Sequence, residues 1–357
     1  MEANGAAQAE LAAGYGRALR RRVLLLAALI LLCAICFIAE LAIGGGTLSL
    51  GSVLRGLLHP AQVDPTIRVI LWQLRLPVAC TALLAGAGLA IAGNLMQGAL
   101  HNPLAEPFTL GLSSAAGFGA ALIIVLGPWL SPALGALPQG LLVSASAFVF
   151  SVGVIAGLAL VAQARQMRPE TIALLGIAVH FTFSSLLAFT QYVANADQLQ
   201  TLVFWLLGSV QRTSWTQVAI CGALLVFILP LLLVRAWALT AVGSFGAQAS
   251  VLGLRVARVR LLMLLAAALL AGAVTATVGI VGFVGLVAPH IARMLVGEDQ
   301  RFALATSATC GAVMMLTAAL ASQTIVPGAV LPVGMLTALL GVPVFLWLIL
   351  RQQAAYA

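Results

Sequence analysis

Long apolar stretches separated by short polar connections dominate the chain. Each stretch is about twenty residues long, the length a helix needs to cross roughly 30 Å of hydrocarbon. Because a backbone in lipid must satisfy its own hydrogen bonds, the expected elements are helices and the fold class is all-α. The pattern predicts about ten spans. They cover residues 23–41, 76–97, 109–127, 138–162, 171–193, 216–235, 259–278, 281–296, 302–322 and 332–350. The eighth contains Gly285 and Pro289, which predicts an interrupted half-helix.

These spans predict one transmembrane domain over residues 23–351. A polar tail at 1–22 precedes it and a short tail at 352–357 follows it. The start also resembles a signal peptide, since arginines precede an apolar run. An uncleaved first span fits better, because the run from Val23 to Ala39 is long and Glu40 stands where small cleavage-site residues belong.

The composition is that of a protein that lives in lipid. Only 7% of the residues are charged, whereas a water-facing globule normally carries about 25%. The chain has no lysine, and with the N-terminus inside, 13 of its 17 arginines are cytoplasmic; Arg55, Arg68, Arg75 and Arg212 fall outside. This asymmetry predicts that both termini are cytoplasmic, and it explains the net charge of +8 without a nucleic-acid partner.

Two parts of the chain resemble each other at a fixed separation. The letters LLAGA occur at 83–87 and again at 269–273, and the similarity continues downstream. The copies begin in spans two and seven, which enter the membrane from opposite sides. We therefore predict an inverted repeat with halves starting near 76 and 259. The alternative is that helices rich in Ala, Leu and Gly resemble one another by composition alone.

The spans contain almost nothing that could draw energy from ions or nucleotides. Apart from Glu40 and Arg75 at membrane edges, and cysteines aside, His180 is the one ionisable side chain clearly within a span. Ion-coupled carriers usually place buried Asp, Glu or His on their path. A P-loop needs a lysine, and this chain has none. We expect neither an ATP site nor catalytic activity in this chain. An active transporter of this kind would need a separate motor protein.

Four blocks in order are similar to the FecCD family of ABC-importer permeases. They read GAGLAIAGNLMQGALHNPLAEPFTLG at 86–111, FWLLGS at 204–209, GFVGLVAPHIARMLVG at 282–297 and LPVGMLTALLGVPVFLWL at 331–348. The resemblance runs from about residue 20 to the C-terminus. Structural positions of this motif set are Gly86, Gly93, Gly282, Gly285, Pro289, His290, Pro332 and Gly334.

The resemblance implies a homodimer of ten-span subunits in the bacterial inner membrane. It implies two partners, a pair of ATPase subunits that bind Mg–ATP inside and a periplasmic binding protein outside. The implied cargo is an iron chelate, as ferric siderophore or haem, with cobalamin as the alternative. An ATP-independent secondary transporter or channel is a remote alternative, and a membrane-embedded enzyme is another.

The resemblance also implies two functional roles, one in docking at the outer face and one in gating at the cytoplasmic face. Arg75 matches an arginine that docks the binding protein, although it could instead reach toward lipid phosphate. Asn102, Pro103 and Leu104 match a cytoplasmic gate, and a plain helix-breaking turn is the alternative.

The loop at 236–258 resembles the family's ATPase-coupling loop. Its matching positions are Gly243, Gly246, Ala247, Ala249, Leu252 and Gly253. In the family pattern a glycine of this loop is followed by Asp or Glu, and that acidic residue is missing here. The pattern also has a second arginine at Val78, Asp and Arg at Ala319 and Gln323, and Glu at Val330. We therefore expect docking to depend on Arg75 and on further groups that the sequence does not identify, and coupling to depend on shape rather than on an acidic contact to the ATPase.

Two histidines have competing interpretations. His290 is expected to form a hydrogen bond at a helix end rather than to bind a ligand. His180 could contact haem iron but fits a core position better. No cluster of Cys, His or carboxylates has metal-site spacing, so we expect neither metal nor cofactor on this chain.

Overall fold

The computed structural model describes residues 2–44, 48–134 and 137–354, and all regular elements in these ranges are helices. The α-helices are α1 Glu2–Ile43, α2 Leu50–Leu58, α3 Pro65–Val69, α4 Leu76–Leu100, α5 Leu112–Leu134, α6 Gln139–Ala164, α7 Pro169–Val193, α8 Ala196–Leu206, α9 Trp215–Val234, α10 Ala236–Phe245, α11 Val256–Val278, α12 Val284–Val296, α13 Gln300–Thr324 and α14 Val333–Ala354. A π-helical turn at Ile70–Arg75 and 3₁₀ helices at Pro107–Leu110 and Gly246–Leu252 complete the set. The predicted all-α class is confirmed.

Seven helical segments of the described chain are long and apolar enough to cross a membrane. They are Gly16–Ile43, Pro65–Leu100, Gln139–Ala164, Pro169–Val193, Trp215–Val234, Val256–Val278 and Gln300–Thr324. Three shorter apolar helices lie at Leu112–Gly127, Val284–Val296 and Val333–Leu346. Each predicted span overlaps one of these segments, while the number that crosses the membrane stays a prediction.

Some predicted boundaries differ from the structure. Residues 2–22 of the predicted N-terminal tail are helical and continuous with the first span, since α1 begins at Glu2. At the other end α14 continues to Ala354, and residues 355–357 of the predicted tail lie outside the described residues. The short helix α12 has 13 residues, but Gly285 and Pro289 lie inside it; the break precedes it, at residues 279–283.

Helix α4 lies at the centre of the bundle. It packs mainly against α13, α11 and α12, and most of its residues are buried. The buried positions are largely Ala, Gly and Leu, so the helix has few bulky side chains to hold its neighbours away. In lipid, helices associate through close packing and hydrogen bonds rather than through the hydrophobic effect. Small residues on α4 therefore set its spacing from α11, α12 and α13.

Two pairs of glycines bring helix backbones into direct contact. A Cβ atom added at Gly86 would overlap the carbonyl oxygen of Gly311 on α13. A Cβ atom added at Gly93 would overlap the carbonyl oxygen of Gly285 on α12. Neither overlap is physically possible, so any side chain there must separate the helices. Gly279, which the sequence offset pairs with Gly93, instead follows the end of α11, and the internal repeat stays a prediction.

One end of the bundle is tied together by charged groups, and we call it the arginine-rich end because it carries Arg22, Arg255, Arg260 and Arg301. The Arg22 guanidinium lies 3.8 Å from Asp299 and 5.6 Å from the ring centre of Phe302. Hydrogen bonds from Arg301 are the main cause of a lowered pKa at Asp299. These contacts fix the start of α13 beside the first span.

We expect Gly93→Ala to lower the stability of the purified protein by at least about 2 kcal/mol, because the new methyl group overlaps the α12 backbone. Gly157→Ala on α6 is the matched control, since a Cβ there meets nothing within 4 Å. Thermal unfolding in detergent measures both. Equal melting temperatures for the two variants would contradict the backbone contact at Gly93.

Candidate functional site

The predicted gate lies where α4 ends. The helix stops at Leu100, and His101 adopts a left-handed conformation with a φ of 50°. Across Pro103, the Oδ1 atom of Asn102 accepts a hydrogen bond of 2.9 Å from the backbone N–H of Leu104. All three predicted gate residues are exposed. Their side chains thus form a local turn at the arginine-rich end, and a gating role stays a prediction.

The rest of the gate loop, which we define as residues 101–111, packs against the start of α12. Burial raises the pKa of Glu106 to about 7, and the backbone N–H of Phe283 beside the carboxylate partly offsets this effect. A Cβ atom at Gly285 would lie 3.6 Å from Pro107 Cδ, and one at Gly282 would lie 4.0 Å from the Phe108 ring. The sequence blocks at 86–111 and 282–297 are therefore neighbours in space.

Phe283 joins this contact to α14 in a conformation that is unusual for its residue type. Its φ is 68°, a left-handed value that costs a bulky residue energy unless its surroundings hold it there. A Cβ atom added at Gly341 would overlap the Cβ of Phe283, so α14 approaches it closely at a glycine. The gate loop, α12 and α14 consequently meet around one strained residue.

Polar side chains cross between helices just beyond this point. Gln97 of α4 accepts a hydrogen bond from Arg293 of α12 and donates to the Leu286 carbonyl at 3.3 Å. Asn94, one turn earlier, donates to Gln300 of α13 at 2.7 Å. Asn94, Gln97 and Gln300 are all buried. Because buried amides are costly without partners, these bonds hold α4, α12 and α13 in one arrangement.

A cavity of about 800 Å³ opens beside these amides at the arginine-rich end. Its polar lining includes Gln97, His101, His290, Arg293 and Glu298. His290 lies in the middle of α12, so the expectation of a helix-end position was wrong. His290 faces open space here rather than a tightly packed core.

The predicted coupling segment, residues 236–258, forms the opposite wall of this cavity. It folds as α10 followed by the 3₁₀ helix Gly246–Leu252. Gly243 lies against α4, since a Cβ atom added there would lie 3.8 Å from the Cα of Gly98, and Gly246 lies against the His101 ring. Ala249 is buried, whereas Ala247, Leu252 and Gly253 are exposed. The six matched residues thus lie on one continuous segment that contacts both α4 and the gate loop.

The coupling segment exposes several large apolar side chains. Phe245 is 57% exposed, Val251 88% and Leu252 50%. Arg255 and Arg258 follow directly and are also exposed. Exposed apolar groups rimmed by charge are typical of a protein docking surface.

Two other sequence blocks meet at the opposite end of the bundle. The backbone N–H of Val333 donates to the Gly208 carbonyl at 3.1 Å, just after Pro332. A Cβ atom added at Gly334 would collide with the carbonyl oxygens of Leu207 and Ile280. The blocks at 204–209 and 331–348 are therefore held together by backbone contacts that require a glycine.

Arg75 also lies at this opposite end, at the last position of the π-helical turn. Its Nη1 atom donates to the carbonyl oxygens of Leu41 at 2.7 Å and Ala42 at 3.0 Å. Nearby, Gln323 donates to the buried Glu40 carboxylate at 2.6 Å. The guanidinium is half-buried and caps the end of α1. Arg75 therefore has a structural role in addition to the docking role predicted for it.

Comparison with known proteins identifies the family. The FecCD transport family model matches residues 31–351. The chain belongs to the FecCD transport family. A hemin transport system permease of Yersinia pestis is 37% identical over 79% of this chain and 83% of its own length. A Fe(3+)-citrate import system permease of Bacillus subtilis is 35% identical over 91% and 95%. A vitamin B12 import system permease of Vibrio cholerae is 34% identical over 80% and 83%.

A solved structure agrees with this assignment. The chain is similar to an inward-facing putative metal-chelate type ABC transporter, with a TM-score of 0.79 and 30% identity over 92% of this chain and 99% of that one. The chain is therefore a membrane-embedded ABC importer permease of the FecCD family. Its relatives are permease subunits and not ATPases.

Sequence analysis did not identify several residues around the gate loop and the neighbouring cavity of this FecCD permease. Glu106 stands inside a quoted block, and a carboxylate in a largely apolar stretch was a usable signal. Asn94 and Gln300 gave no local signal, because 206 residues separate the two partners. Arg293 was counted only as a cytoplasmic charge, although it bonds across to Gln97.

We expect Glu106→Ala to destabilise the protein by about 1–3 kcal/mol, because the Phe283 amide loses the carboxylate that lies beside it. Glu106→Gln should keep most of that stability, since an amide oxygen can take the place of the carboxylate oxygen beside Phe283. Thermal unfolding of the two variants beside wild type measures the difference. An alanine variant as stable as the glutamine variant would show that the Phe283 contact contributes nothing.

Proposed function

We propose that this permease imports an iron chelate, either a ferric siderophore or haem, across the bacterial inner membrane. The observation that carries the proposal is the similarity to permeases named for hemin and for Fe(3+)-citrate. Cobalamin is the alternative cargo, supported by the vitamin B12 permease at 34% identity. A large chelate must be released as well as bound, which suits a path with few strong contacts.

The energy source in this proposal is a separate ATPase pair that binds Mg–ATP. No lysine is present to form a P-loop, and few ionisable groups lie within the spans, so neither ATP nor ion gradients are used by the chain itself. The exposed apolar surface of Phe245, Val251 and Leu252, with Arg255 and Arg258 beside it, is the docking surface we assign to the ATPase.

A second copy of the permease completes the transport path in this scheme. Helix α7 keeps large apolar side chains exposed in the single chain, among them Leu174, Phe181 and Phe189. Leu339 does the same on α14. A two-fold homodimer would cover part of these faces and present matching surfaces to two ATPases. The path would then lie on the dimer axis, with both termini of each subunit in the cytoplasm.

Gating in this scheme takes place at the exposed turn of Asn102, Pro103 and Leu104. The turn lies in the gate loop that follows α4, and Gly246 of the coupling segment touches His101, the first residue of that loop. Movement of the ATPases would shift the coupling segment and then the turn, which gives alternating access.

The cargo is tested by copurification and transport. A tagged chain expressed with its neighbouring genes should copurify an ATPase, and proteoliposomes of that complex with the binding protein should take up iron chelate only with ATP. Ferric siderophores, haemin and cobalamin are offered separately. Uptake of cobalamin alone would select the alternative. Accumulation by the permease without any ATPase would overturn the proposal.

Docking of the binding protein is tested at Arg75. Arg75→Glu should lower the affinity of the permease for the binding protein by roughly tenfold or more, because a rim charge pair is replaced by repulsion. Arg68→Glu is the matched control, a charge reversal at an exposed arginine on the same face. Surface plasmon resonance measures both.

Because Arg75 also caps α1, the thermal stability of Arg75→Glu must be measured beside its affinity. Loss of affinity in a variant that melts like wild type supports docking. Equal affinity losses for Arg75→Glu and Arg68→Glu would remove the specific assignment to Arg75.

A further inference from the structure

Asn94 and Gln300, which we call the amide pair, are buried between α4 and α13. Asn94 Nδ2 donates to Gln300 Oε1 at 2.7 Å, and Gln300 Nε2 donates back to Asn94 Oδ1 at 3.4 Å. The two residues are 1% and 5% exposed. Apolar residues of similar size would fill this place without the cost of burying two amides. The pair therefore calls for an explanation beyond packing.

The coupling segment is bonded directly to one member of the pair. The backbone N–H of Gln300, the first residue of α13, donates to the Thr240 hydroxyl of α10 at 2.9 Å. One turn along α10, the Ser244 hydroxyl donates to Glu298 at 3.0 Å. Two hydrogen bonds thus fasten α10 to the start of α13. Any displacement of α10 must either break them or move Gln300.

The other member of the pair lies on the helix that leads to the gate. Asn94 stands six residues before Leu100, where α4 ends and the gate loop begins. Between them, Gln97 is bonded to Arg293 and to the Leu286 carbonyl of α12. A shift of Gln300 would therefore reach both the last turns of α4 and the short helix α12.

There is room for such a shift. The cavity of about 800 Å³ borders Asn94, Gln97, Thr240 and Gln300 together. Hydrogen-bonded amides can exchange partners there with little steric cost, whereas the glycine contacts deeper in the bundle cannot slide. The polar layer is consequently the part of the core suited to rearrangement.

We infer that the amide pair is a positioning device for ATP-driven transport: through Thr240, Gln300 and Asn94 it transmits displacement of the coupling segment to α4 and the gate loop. This inference rests on the proposed function, since it needs an ATPase that moves the coupling segment. Thr240 lies in the coupling segment but is not one of its six matched positions, and Asn94 and Gln300 are neither coupling nor gate positions.

The test uses the permease in complex with its copurified ATPase and binding protein, reconstituted in proteoliposomes. The measured quantity is the coupling ratio, chelate transported per ATP hydrolysed. In the double variant Asn94→Leu, Gln300→Leu no amide is left without its partner, so the complex should assemble and hydrolyse ATP. We expect its coupling ratio to fall by about fivefold or more, the usual range of energetic coupling between sites.

Three further variants separate transmission from folding. The exchange Asn94→Gln with Gln300→Asn keeps an amide on each helix and should restore a substantial part of the coupling ratio. Thr240→Val removes the hydroxyl that accepts from the Gln300 amide and donates to the Ala236 carbonyl within α10, and it should lower the ratio in an intact bundle. Thr306→Val on α13 is the control, because the buried Thr306 hydroxyl has no hydrogen-bond partner among the described residues; it should behave as wild type.

The outcomes separate clearly. A wild-type coupling ratio in the double leucine variant overturns the inference, and so does a wild-type ratio in Thr240→Val if the leucine variant fails to assemble. Equal losses in Thr306→Val and the leucine variant overturn it as well, since the effect would then be general. If the wild-type chain binds no ATPase at all, the proposed function fails first, before any variant is compared.

Discussion

The close approach of helix backbones along α4 is the constraint on which the rest of the structure depends. Gly86 meets Gly311 and Gly93 meets Gly285 without intervening side chains. In lipid there is no hydrophobic gain from bringing apolar helices together, so close contact and interhelical hydrogen bonds must hold the bundle. The position of α12, and with it the seat for the gate loop at Phe283, follows from the contact at Gly93. The position of α12 in turn determines where the hydrogen bonds near the gate loop can form.

The core contains two kinds of contact, glycine backbone contacts and amide hydrogen bonds, and they allow different degrees of movement. Glycine contacts allow one separation only, since backbones that touch can neither approach nor tolerate a side chain. Asn94, Gln97 and Gln300 are held instead by hydrogen bonds beside an open cavity, and such bonds can be broken and remade as long as each amide finds a partner. The glycine contacts at the centre of the bundle therefore leave no space for rearrangement, whereas the amide bonds at the arginine-rich end border open space. Alternating access requires this combination, because a movement imposed at one end must not collapse the packing at the other.

Hydropathy predicted the helices well, because crossing lipid imposes both length and composition on a segment. Charge asymmetry predicted an orientation, and the quoted blocks predicted the family. Local sequence could not predict the site in the same detail. Nothing near Asn94 indicates Gln300, which is 206 residues away, and nothing near Phe283 indicates a left-handed residue beside the Glu106 carboxylate. Arg75 was recognised as an outer arginine, but its bonds to Leu41 and Ala42 depend on how α1 ends beside the π-helical turn. Such contacts arise from tertiary packing, which a periodic pattern does not record.

The departures from the family pattern become intelligible once spatial neighbours are known. The coupling segment lacks the acidic residue of the FecCD pattern, yet the Ser244 hydroxyl in this segment donates to the carboxylate of Glu298 at 3.0 Å. A carboxylate is thus present beside position 244, supplied from the connection between α12 and α13 instead of from the coupling segment. At the opposite end, Gln323 replaces an arginine and bonds the buried Glu40. In both places the change at one position is matched by a polar partner far away in sequence. The absence of a family residue at one position is therefore weak evidence that its interaction is absent. A residue from another segment of the fold can make the same contact.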